Sequence, residues 1–318
     1  MSERNDEAIT RKSLLGAASI TALCSLAGEV PLFAAAPRPM RSAPVRRAAV
    51  LWYSQAGNTR RYGECAARAL STRGIAATAS DYRDFDAASL AGFDMIIIGS
   101  PVFYYDVPGN FKRWIEALPA IEGVPVAGYV SFGGEGGNQH NTACTLLSLM
   151  AERGAVPVGL GLFGNMSTYP PTWSMGMEER ILKYRHLPDE KTFERVREFA
   201  LSALASVEAN RPLSYGKRFD FREAIKGGFS IFWGARLMTG THRIDRAACV
   251  QCGTCTEKCP TGAIRYSDYS VDSGKCIFCY GCVNNCPAAA IDMTYMGKKL
   301  VGFNDFTKKH GITLKDPA

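Results

Sequence analysis

The sequence predicts an α/β domain with a doubly wound, five-stranded parallel sheet, followed by a small α+β domain. Two observations carry this prediction. From about residue 45 to residue 208, apolar runs of strand length alternate with segments of helical periodicity. Near the C-terminus, a run of four cysteines that begins at Cys249 recurs 27 residues later at Cys276, so this segment is an internal duplication. A chain of 318 residues is long enough for two domains.

The elements of the larger domain follow in the order expected of a parallel sheet. Residues 93–99 form the clearest strand, because this run is continuous, apolar and β-branched like a central parallel strand. Strands are predicted at residues 48–53, 75–79, 93–99, 124–132 and 156–163. Helices are predicted at residues 57–70, 111–118, 142–153 and 191–207. A sheet of this kind binds ligands beyond the carboxyl ends of its strands, where the strand order reverses.

The loop after the first strand is a candidate phosphate site. It reads Ser-Gln-Ala-Gly-Asn-Thr over residues 54–59 and leads directly into a helix, whose first N–H groups can bind an anion. Ser54, Asn58 and Thr59 add side-chain donors, and Gly57 allows close approach of the backbone. The loop has neither the Walker pattern nor Gly-x-Gly-x-x-Gly. The alternative is that it only caps the helix.

Two further loops follow the third and fourth strands. The first holds three consecutive aromatic residues, Phe103, Tyr104 and Tyr105, which suit contact with a flat ring. The alternative is that these rings pack against the next helix. The second loop is rich in glycine over residues 133–137, which leaves the backbone bare for contact with a ligand edge.

Together, the three loops resemble those of the flavodoxin-like fold, which holds FMN at the same three strand ends. The resemblance covers about residues 45–206 and differs from the common Thr-x-Thr-Gly-x-Thr pattern by one lost hydroxyl, at Ala56. It implies that the first loop grips the phosphate and that the other two flank the isoalloxazine. The FMN-binding residues it implies are Ser54, Gln55, Gly57, Asn58, Thr59, Ser100, Pro101, Val102, Phe103, Tyr104, Tyr105, Ser131, Phe132, Gly133 and Gly134.

The two cysteine runs have the spacing Cys-x-x-Cys-x-x-Cys-x-x-x-Cys-Pro, which is typical of [4Fe–4S] clusters. Three thiolates at every third position wrap one short loop around a cube, and a fourth must come from elsewhere. Zinc sites use pairs of Cys-x-x-Cys, and a disulfide framework would not explain the regularity. The predicted metal ligands are Cys249, Cys252, Cys255, Cys259, Cys276, Cys279, Cys282 and Cys286.

The runs resemble the bacterial-type 2[4Fe–4S] ferredoxins over roughly residues 244–295. In these proteins the fourth cysteine of each run ligates the other cluster. The resemblance therefore implies a ferredoxin-like two-cluster domain with crossed ligation. Cys249, Cys252, Cys255 and Cys286 hold one cluster, and Cys276, Cys279, Cys282 and Cys259 hold the other. A flavodoxin-like domain followed by such a module resembles the fused ferredoxin–flavodoxin proteins.

The first 36 residues have the features of an export signal. Arg11 and Lys12 precede a short apolar stretch, and residues 34–36 supply an Ala-x-Ala ending. The segment looks like a twin-arginine signal with lysine at the second position, and that route carries proteins already loaded with cofactors. We therefore expect export to the periplasm. The alternative is a leader on a cytoplasmic protein. Cys24, Cys65 and Cys144 lie in apolar or helical surroundings and are expected to be small buried hydrophobic residues.

The predicted division is a leader at 1–36, the flavodoxin-like domain at 45–208, a connecting segment at 209–241, the ferredoxin domain at 242–300 and a tail at 301–318. The connecting segment is too apolar for a free linker. We expect it to pack between the domains. The alternative is a membrane-surface or partner-docking patch with Lys226, Trp233 and Arg236.

The predicted function is electron transfer between FMN and two [4Fe–4S] clusters, with redox proteins as donor and acceptor. One alternative is a flavin-dependent oxidoreductase with its own small substrate, which would need an acid or base beside the ring. Asp106, Glu135 and His140 are the candidates on the cofactor loops, and each is more simply a solvated loop residue. Another alternative is a subunit that docks to a membrane redox complex. The net charge of +7 is spread along the chain without a basic, aromatic-rich run, so nucleic acid is not an expected partner.

Overall fold

The computed structural model describes residues 39–41, 44–134, 136–219 and 231–318, and for 231–233 the backbone alone. The leader with Cys24, the candidate acid Glu135, the candidate patch residue Lys226 and the side chain of Trp233 lie outside this description. Among the described residues, no helix combines the length and the apolar character needed to cross a membrane.

The larger unit is an α/β fold with five parallel strands in the order β2-β1-β3-β4-β5, which confirms the predicted fold class. Its strands are β1 (Arg47–Trp52), β2 (Ala76–Asp81), β3 (Met95–Pro101), β4 (Pro125–Gly133) and β5 (Val156–Asn165). Its helices are α1 (Asn58–Ser71), α2 (Gly109–Glu116), α3 (Gln139–Glu152), the short α4 (Pro170–Ser174) and α5 (Glu179–Leu182), and α6 (Glu190–Glu208). Two 3₁₀ turns, Tyr82–Asp84 and Ala87–Gly92, precede β3.

Helices cover both faces of this sheet, as its sequence requires. Ile96, Ile97 and Ile98 in β3 are fully buried, because alternate residues of a strand point to opposite faces. Ile97 belongs to the core that α1 and α6 form on one face. Ile96 and Ile98 belong to the core that α2 and α3 form on the other. The strand order reverses at β1, so the loops after β1 and β3 diverge at the carboxyl edge and leave a crevice there.

The smaller unit contains the two cysteine runs between short elements. Helix α7 (Ile231–Met238) leads into β6 (Thr239–Ile244), which pairs with β9 (Ile291–Tyr295) in an antiparallel sheet completed by β10 (Lys298–Lys299). The remaining elements are α8 (Thr254–Glu257), β7 (Ile264–Arg265), β8 (Ser270–Val271), α9 (Gly281–Asn285) and α10 (Phe303–Lys309). Cys255 lies on α8 and Cys282 on α9, which are equivalent positions of the duplication.

The two units pack through a shared apolar cluster. Trp173 of α4 stacks on Phe306 of α10 with ring centroids 4.7 Å apart, and its indole N–H donates to the Val301 carbonyl at 2.9 Å. Met166 and Phe303 are buried in the same cluster. The chain end also returns to the larger unit, where Arg61 of α1 pairs with Asp316 at 2.7 Å. Buried contacts therefore hold the two units together.

The described part of the connecting segment packs on the larger unit. The Leu213 N–H donates to the Pro157 carbonyl at 2.7 Å, and Leu213 and Tyr215 pack against the core beside α3. His140 Nε2 lies 3.0 Å from the Gly216 carbonyl oxygen. Residues 213–216 therefore contact the larger unit, and packing of the whole segment between the domains stays a prediction. Cys65 and Cys144 are buried, as predicted for small apolar residues.

Gly99 near the end of β3 gives a test of this packing. A Cβ at Gly99 would lie 2.0 Å from Cζ of Tyr129, whose hydroxyl is held by the Thr59 carbonyl at 2.8 Å. We expect Gly99→Ala to lower the free energy of unfolding by about 3 kcal/mol, the upper range for overpacking a core. Anaerobic urea unfolding followed by tryptophan fluorescence measures it. Gly92→Ala is the control, since Gly92 has open space around it, and equal effects of the two would contradict the expectation.

Candidate cofactor sites

A cavity of about 490 Å³ opens at the carboxyl edge of the parallel sheet. Its walls come from the loops after β1, β3, β4 and β5, from α5, and from the cysteine-bearing unit. This is the crevice that a doubly wound sheet offers at its switch point. The volume lies within the range of small-molecule and cofactor sites.

The loop after β1 presents unpaired polar atoms to this cavity. Gly57 adopts the left-handed conformation (φ +92°) at the start of α1, and no side chain caps that helix. Ser54 Oγ, Gln55 Nε2 and Asn58 Oδ1 are buried and have no hydrogen-bond partner among the described residues. The cap that the alternative interpretation requires is thus not made by a side chain. The Ser54 hydroxyl and the Gln55 amide are donors, and beside an open helix N-terminus they fit an anionic ligand such as a phosphate, whereas Asn58 Oδ1 is an acceptor.

The three aromatic residues after β3 have three different surroundings. The backbone turns back through Tyr104 and Tyr105, both at positive φ (49° and 65°), and Phe103 bridges to Asp106. Phe103 packs edge-on against Tyr53, with ring centroids 5.9 Å apart. The Tyr104 hydroxyl donates to the Phe278 carbonyl in the smaller unit at 2.8 Å, and Tyr105 is 38% exposed. Phe103 therefore packs on the core of the larger unit. Tyr104 instead contacts the smaller unit, and Tyr105 is partly exposed.

The loop after β4 approaches the loop after β5 closely. A Cβ at Gly133 would lie 2.5 Å from Cα of Ser167, and Gly134 has a φ of +68°. Ser131 Oγ lies 2.8 Å from Thr59 Oγ1, which joins this loop to α1. These contacts leave backbone rather than side chains along the wall of the cavity. A flat ligand edge can therefore lie against this wall.

The predicted FMN-binding residues are largely brought together. Those that line the cavity are Ser54, Gln55, Asn58, Thr59, Pro101, Val102, Phe103, Tyr104, Tyr105, Ser131, Phe132, Gly133 and Gly134. Gly57 and Ser100 are not part of the lining. Gly57 sits at the helix start, and Ser100 is fully buried with its hydroxyl bonded to the Pro101 carbonyl at 2.9 Å.

Several lining residues were not anticipated. Asn165, Ser167, Thr168 and Tyr169 follow β5, and the rule that ligands bind at strand ends could have found them. Arg180, Lys183 and Tyr184 come from α5 and the turn after it, which no sequence motif marks. The third group is Phe278, Cys279 and Tyr280, which belong to the second cysteine run.

The cysteines form two groups, each drawn from both runs. Cys249, Cys252, Cys255 and Cys286 line one small internal cavity. The Thr254 hydroxyl lowers the pKa of the exposed Cys252 thiol, whereas burial raises the pKa of Cys255. Four soft sulfur atoms around one cavity fit an iron–sulfur cube.

The second group is Cys259 with Cys276, Cys279 and Cys282. Burial, and then the neighbouring thiols of Cys276 and Cys259, raises the pKa of Cys279 to about 12. Burial and the same neighbours raise the pKa of Cys282. The Ala263 N–H donates to Cys259 Sγ at 3.2 Å, and at the equivalent place the Ala290 N–H donates to Cys286 Sγ at 3.2 Å. Such donors stabilise thiolate ligands.

Within the described ranges, no three His, Cys, Asp or Glu side chains are placed to hold one metal ion. A lone ion draws its sulfur ligands to about 2.3 Å from one point, whereas a cube spreads them over four irons. His242 lies beside the second group, with Nε2 3.5 Å from Cys282 Sγ, and burial lowers its pKa to about 4.

The second cysteine group adjoins the large cavity. A Cβ at Gly281 would lie 3.1 Å from Gln55 Nε2 and 3.6 Å from Cys279 Sγ. The Asn285 amide donates to the Gln55 carbonyl at 3.0 Å. Burial, and then the Cys279 thiol, raises the pKa of Tyr53, which is fully buried at the end of β1. The loop after β1 and the loop of the second cysteine run are therefore in direct contact.

The candidate acids and bases do not line this cavity in the part of the chain that is described. Asp106 forms an ion pair with Lys112. His140 faces the Gly216 carbonyl and Cys144. Glu135 lies outside the described residues.

Comparisons with known proteins match both parts of the chain. Residues 54–165 match the family described as NADPH-dependent FMN reductase, and residues 241–287 match the family described as 4Fe-4S dicluster domain. A curated relative is NAD(P)H quinone oxidoreductase PST3 from Candida albicans, 32% identical over 79 residues. This match covers 23% of the present chain and 40% of that protein, so the chain spans less than half of this relative's length.

Solved flavodoxins are similar to the larger unit. Flavodoxin 2 from Bacillus cereus is 19% identical, covers 51% of this chain and 99% of its own, and has a TM-score of 0.40. The flavodoxin from Streptococcus pneumoniae is 15% identical, covers 50% and 99%, and also has a TM-score of 0.40.

The two family matches identify a flavodoxin-like FMN reductase domain fused to a 4Fe-4S dicluster domain. The predicted combination of an FMN-type domain with an iron–sulfur domain in one chain agrees with these two matches.

Proposed function

We propose that the chain passes electrons between FMN in the large cavity and two [4Fe–4S] clusters, one beside the cavity and one near the surface. The observation that carries this proposal is the position of Phe278, Cys279 and Tyr280, which line the cavity from within the second cysteine run. A predicted cluster ligand in the wall of the predicted flavin site supports an arrangement in which the two redox groups are neighbours. Bound FMN exchanges one or two electrons, and each cube exchanges one.

The residues assigned to FMN are those of the three loops that line the cavity. The Ser54 hydroxyl, the Gln55 amide N–H and the N-terminus of α1 hold the phosphate, since these donors have no other partner among the described residues, and Asn58 lines the same site. Phe132, Gly133 and Gly134 face one edge of the ring, and the tyrosines after β3 cover it. Asn284 and Asn285 bond the loop of the second cysteine run to the loop after β1, which holds the two sites in contact.

The count of two clusters is supported by the internal equivalence of the cysteine groups. Each group takes three cysteines from one run and the fourth from the other, and each fourth cysteine accepts the same backbone N–H bond. Crossed ligation of this kind ties the two runs into one folding unit.

We assign electron exchange with redox partners to the cluster of the first cysteine group, which is Cys249, Cys252, Cys255 and Cys286. Cys252 is exposed, and its neighbour Val250 is 65% exposed. A partner that covers this surface comes close to the cluster. As an extension of this proposal, we propose that the partner is membrane-associated and that the chain is exported by the twin-arginine route. They rest on the leader sequence and are tested by fractionation of cells that make the full chain.

A second candidate function is reduction of a small substrate at the flavin, as the names of the matched family and of the Candida relative suggest. Of the candidate acids and bases, Asp106 pairs with Lys112 and His140 faces the Gly216 carbonyl. Neither lines the cavity, which favours electron transfer. Rapid anaerobic reduction of the flavin by NADPH alone, with turnover on a quinone, would support this second function.

Anaerobic purification followed by flavin extraction, iron analysis and a reductive EPR titration tests the main proposal. We expect stoichiometric FMN and about eight irons per chain, with the signals of two magnetically interacting clusters on reduction. About four irons per chain would contradict the second cluster. A preparation without flavin would contradict the assignment of the large cavity.

A further inference from the structure

One side chain beside the second cysteine group breaks the symmetry of the duplication. His242 lies on β6, with Nε2 3.5 Å from Cys282 Sγ and Nδ1 3.9 Å from Cys276 Sγ. Both ring nitrogens therefore face sulfur atoms of the same group. The residue 27 positions later is Tyr269, which has no ring nitrogen and whose hydroxyl accepts a bond from the Gln251 amide at 2.7 Å. An imidazole thus stands at only one of these two equivalent positions.

The backbone of β6 is irregular just before His242. The register between β6 and β9 shifts between Thr239 and His242, as it does at a β-bulge. Within this stretch the Thr241 N–H donates to Thr294 Oγ1 on β9 at 2.8 Å. His242 itself lies opposite the buried Met293. Bulges re-aim side chains and recur beside functional sites. The position of the imidazole is therefore set by the pairing of β6 with β9.

The backbone donors, in contrast, are shared equally between the two cysteine groups. The Gln251 N–H donates to Cys249 Sγ and the Phe278 N–H donates to Cys276 Sγ, both at 3.4 Å. The fourth cysteines of the two runs also accept equivalent N–H bonds. Each group has a threonine hydroxyl beside one sulfur, at 3.4 Å in the first group and 3.8 Å in the second. The imidazole is therefore an addition to donors that both groups share.

We propose that His242 donates a hydrogen bond to the thiolates of the cluster beside the flavin and raises the reduction potential of that cluster. The inference rests on the proposed function. A thiolate that ligates iron has no S–H and can only accept. An imidazole carries a proton on at least one ring nitrogen, and either nitrogen of His242 faces a sulfur atom, so the donor is present in both tautomers.

The direction of the effect follows from charge. Reduction makes the cluster more negative, so a hydrogen bond to its sulfur ligands stabilises the reduced form more than the oxidised form. Cys279 of the same group lines the large cavity, whereas His242 is not part of the described lining. The imidazole therefore acts on the cluster and not on FMN binding. A higher potential at the cluster nearest the flavin favours electron transfer from reduced flavin to iron.

The test uses the full chain, purified anaerobically with FMN and both clusters. His242→Phe removes both ring nitrogens and keeps a ring, and His242→Gln retains an N–H donor on a side chain of similar reach. Tyr269→Phe is the matched control, because it keeps the ring at the equivalent position of the duplication. An EPR-monitored redox titration measures the potentials of both clusters. Pulsed EPR on the chain labelled with ¹⁵N-histidine detects a ring nitrogen coupled to a reduced cluster and identifies the signal of that cluster.

In His242→Phe we expect the equilibrium of the second cluster to shift about tenfold toward its oxidised form, which is about 59 mV for one electron, and the ¹⁵N coupling to be lost. The potential of the first cluster and the FMN content stay unchanged and serve as internal references. His242→Gln retains most of the wild-type potential, and Tyr269→Phe leaves the second cluster unaltered. An unchanged second potential in His242→Phe, or a wild-type chain without ¹⁵N coupling, overturns the inference. A wild-type chain with only about four irons would instead overturn the proposed function.

Discussion

Replacing Cys279 with alanine is expected to abolish electron transfer between flavin and clusters while FMN remains bound. Cys279 lines the large cavity and belongs to the group with Cys259, Cys276 and Cys282. Losing one thiolate removes the cluster beside the flavin, so the iron content falls from about eight to about four per chain. The remaining cluster is then separated from the flavin by the vacated site.

Cys252→Ala provides the matched control for this experiment. It also removes one cluster ligand and is expected to reduce the iron content to about four per chain. Cys252 is exposed and lines the other cysteine cavity, so the cluster beside the flavin survives. Flavin reduced by a light pulse should still pass an electron to iron in Cys252→Ala, and not in Cys279→Ala, as followed by flavin absorbance and EPR.

Comparison of the two variants separates the effect of where the lost cluster lies from the effect of losing a cluster at all. Equal transfer in both, at equal iron content, would show that proximity to the cavity does not decide the route. Circular dichroism and FMN stoichiometry confirm in each case that the larger unit is intact. A Cys279→Ala chain that retains fast flavin-to-iron transfer would contradict the proposed arrangement.

Much of the larger fold could be predicted because its signals are strong and local. The apolar run through Ile96, Ile97 and Ile98 predicts a central parallel strand, and the alternation of strands and helices predicts the layers. The short helices α4 and α5 could not be predicted. With five and four residues, they have too few turns for an amphipathic period, and tertiary packing of Trp173 and Ile181 holds them in place.

The parts of the candidate sites that depend on local sequence could be predicted. The cysteine spacing predicts the two sets of metal ligands, and the predicted strand ends identify most of the residues that line the cavity. The duplication makes the two runs equivalent in sequence, so spacing cannot show which group adjoins the cavity. That difference arises from long-range contacts, such as the bond from the Tyr104 hydroxyl to the Phe278 carbonyl.

Asn284 carries the second large expected effect, because it joins three parts of the molecule. It is buried on α9, its amide donates to the Thr168 carbonyl at 2.9 Å, and its oxygen accepts the Phe303 N–H at 3.0 Å. Its amide also lies 3.5 Å from Gln55 Oε1. One side chain thus connects the cysteine-bearing helix to the loops after β1 and β5 and to the start of α10.

We expect Asn284→Leu to lower the free energy of unfolding by about 4 kcal/mol, because each buried backbone group left without its partner costs about 1–3 kcal/mol. The midpoint of anaerobic urea unfolding measures this change. Asn304→Leu is the control, since Asn304 is exposed on α10 and the same substitution there should have little effect. The loosened contact should also slow flavin-to-iron transfer with both clusters present. A variant as stable as Asn304→Leu would show that the cysteine loop is held against the flavin loops by apolar packing alone.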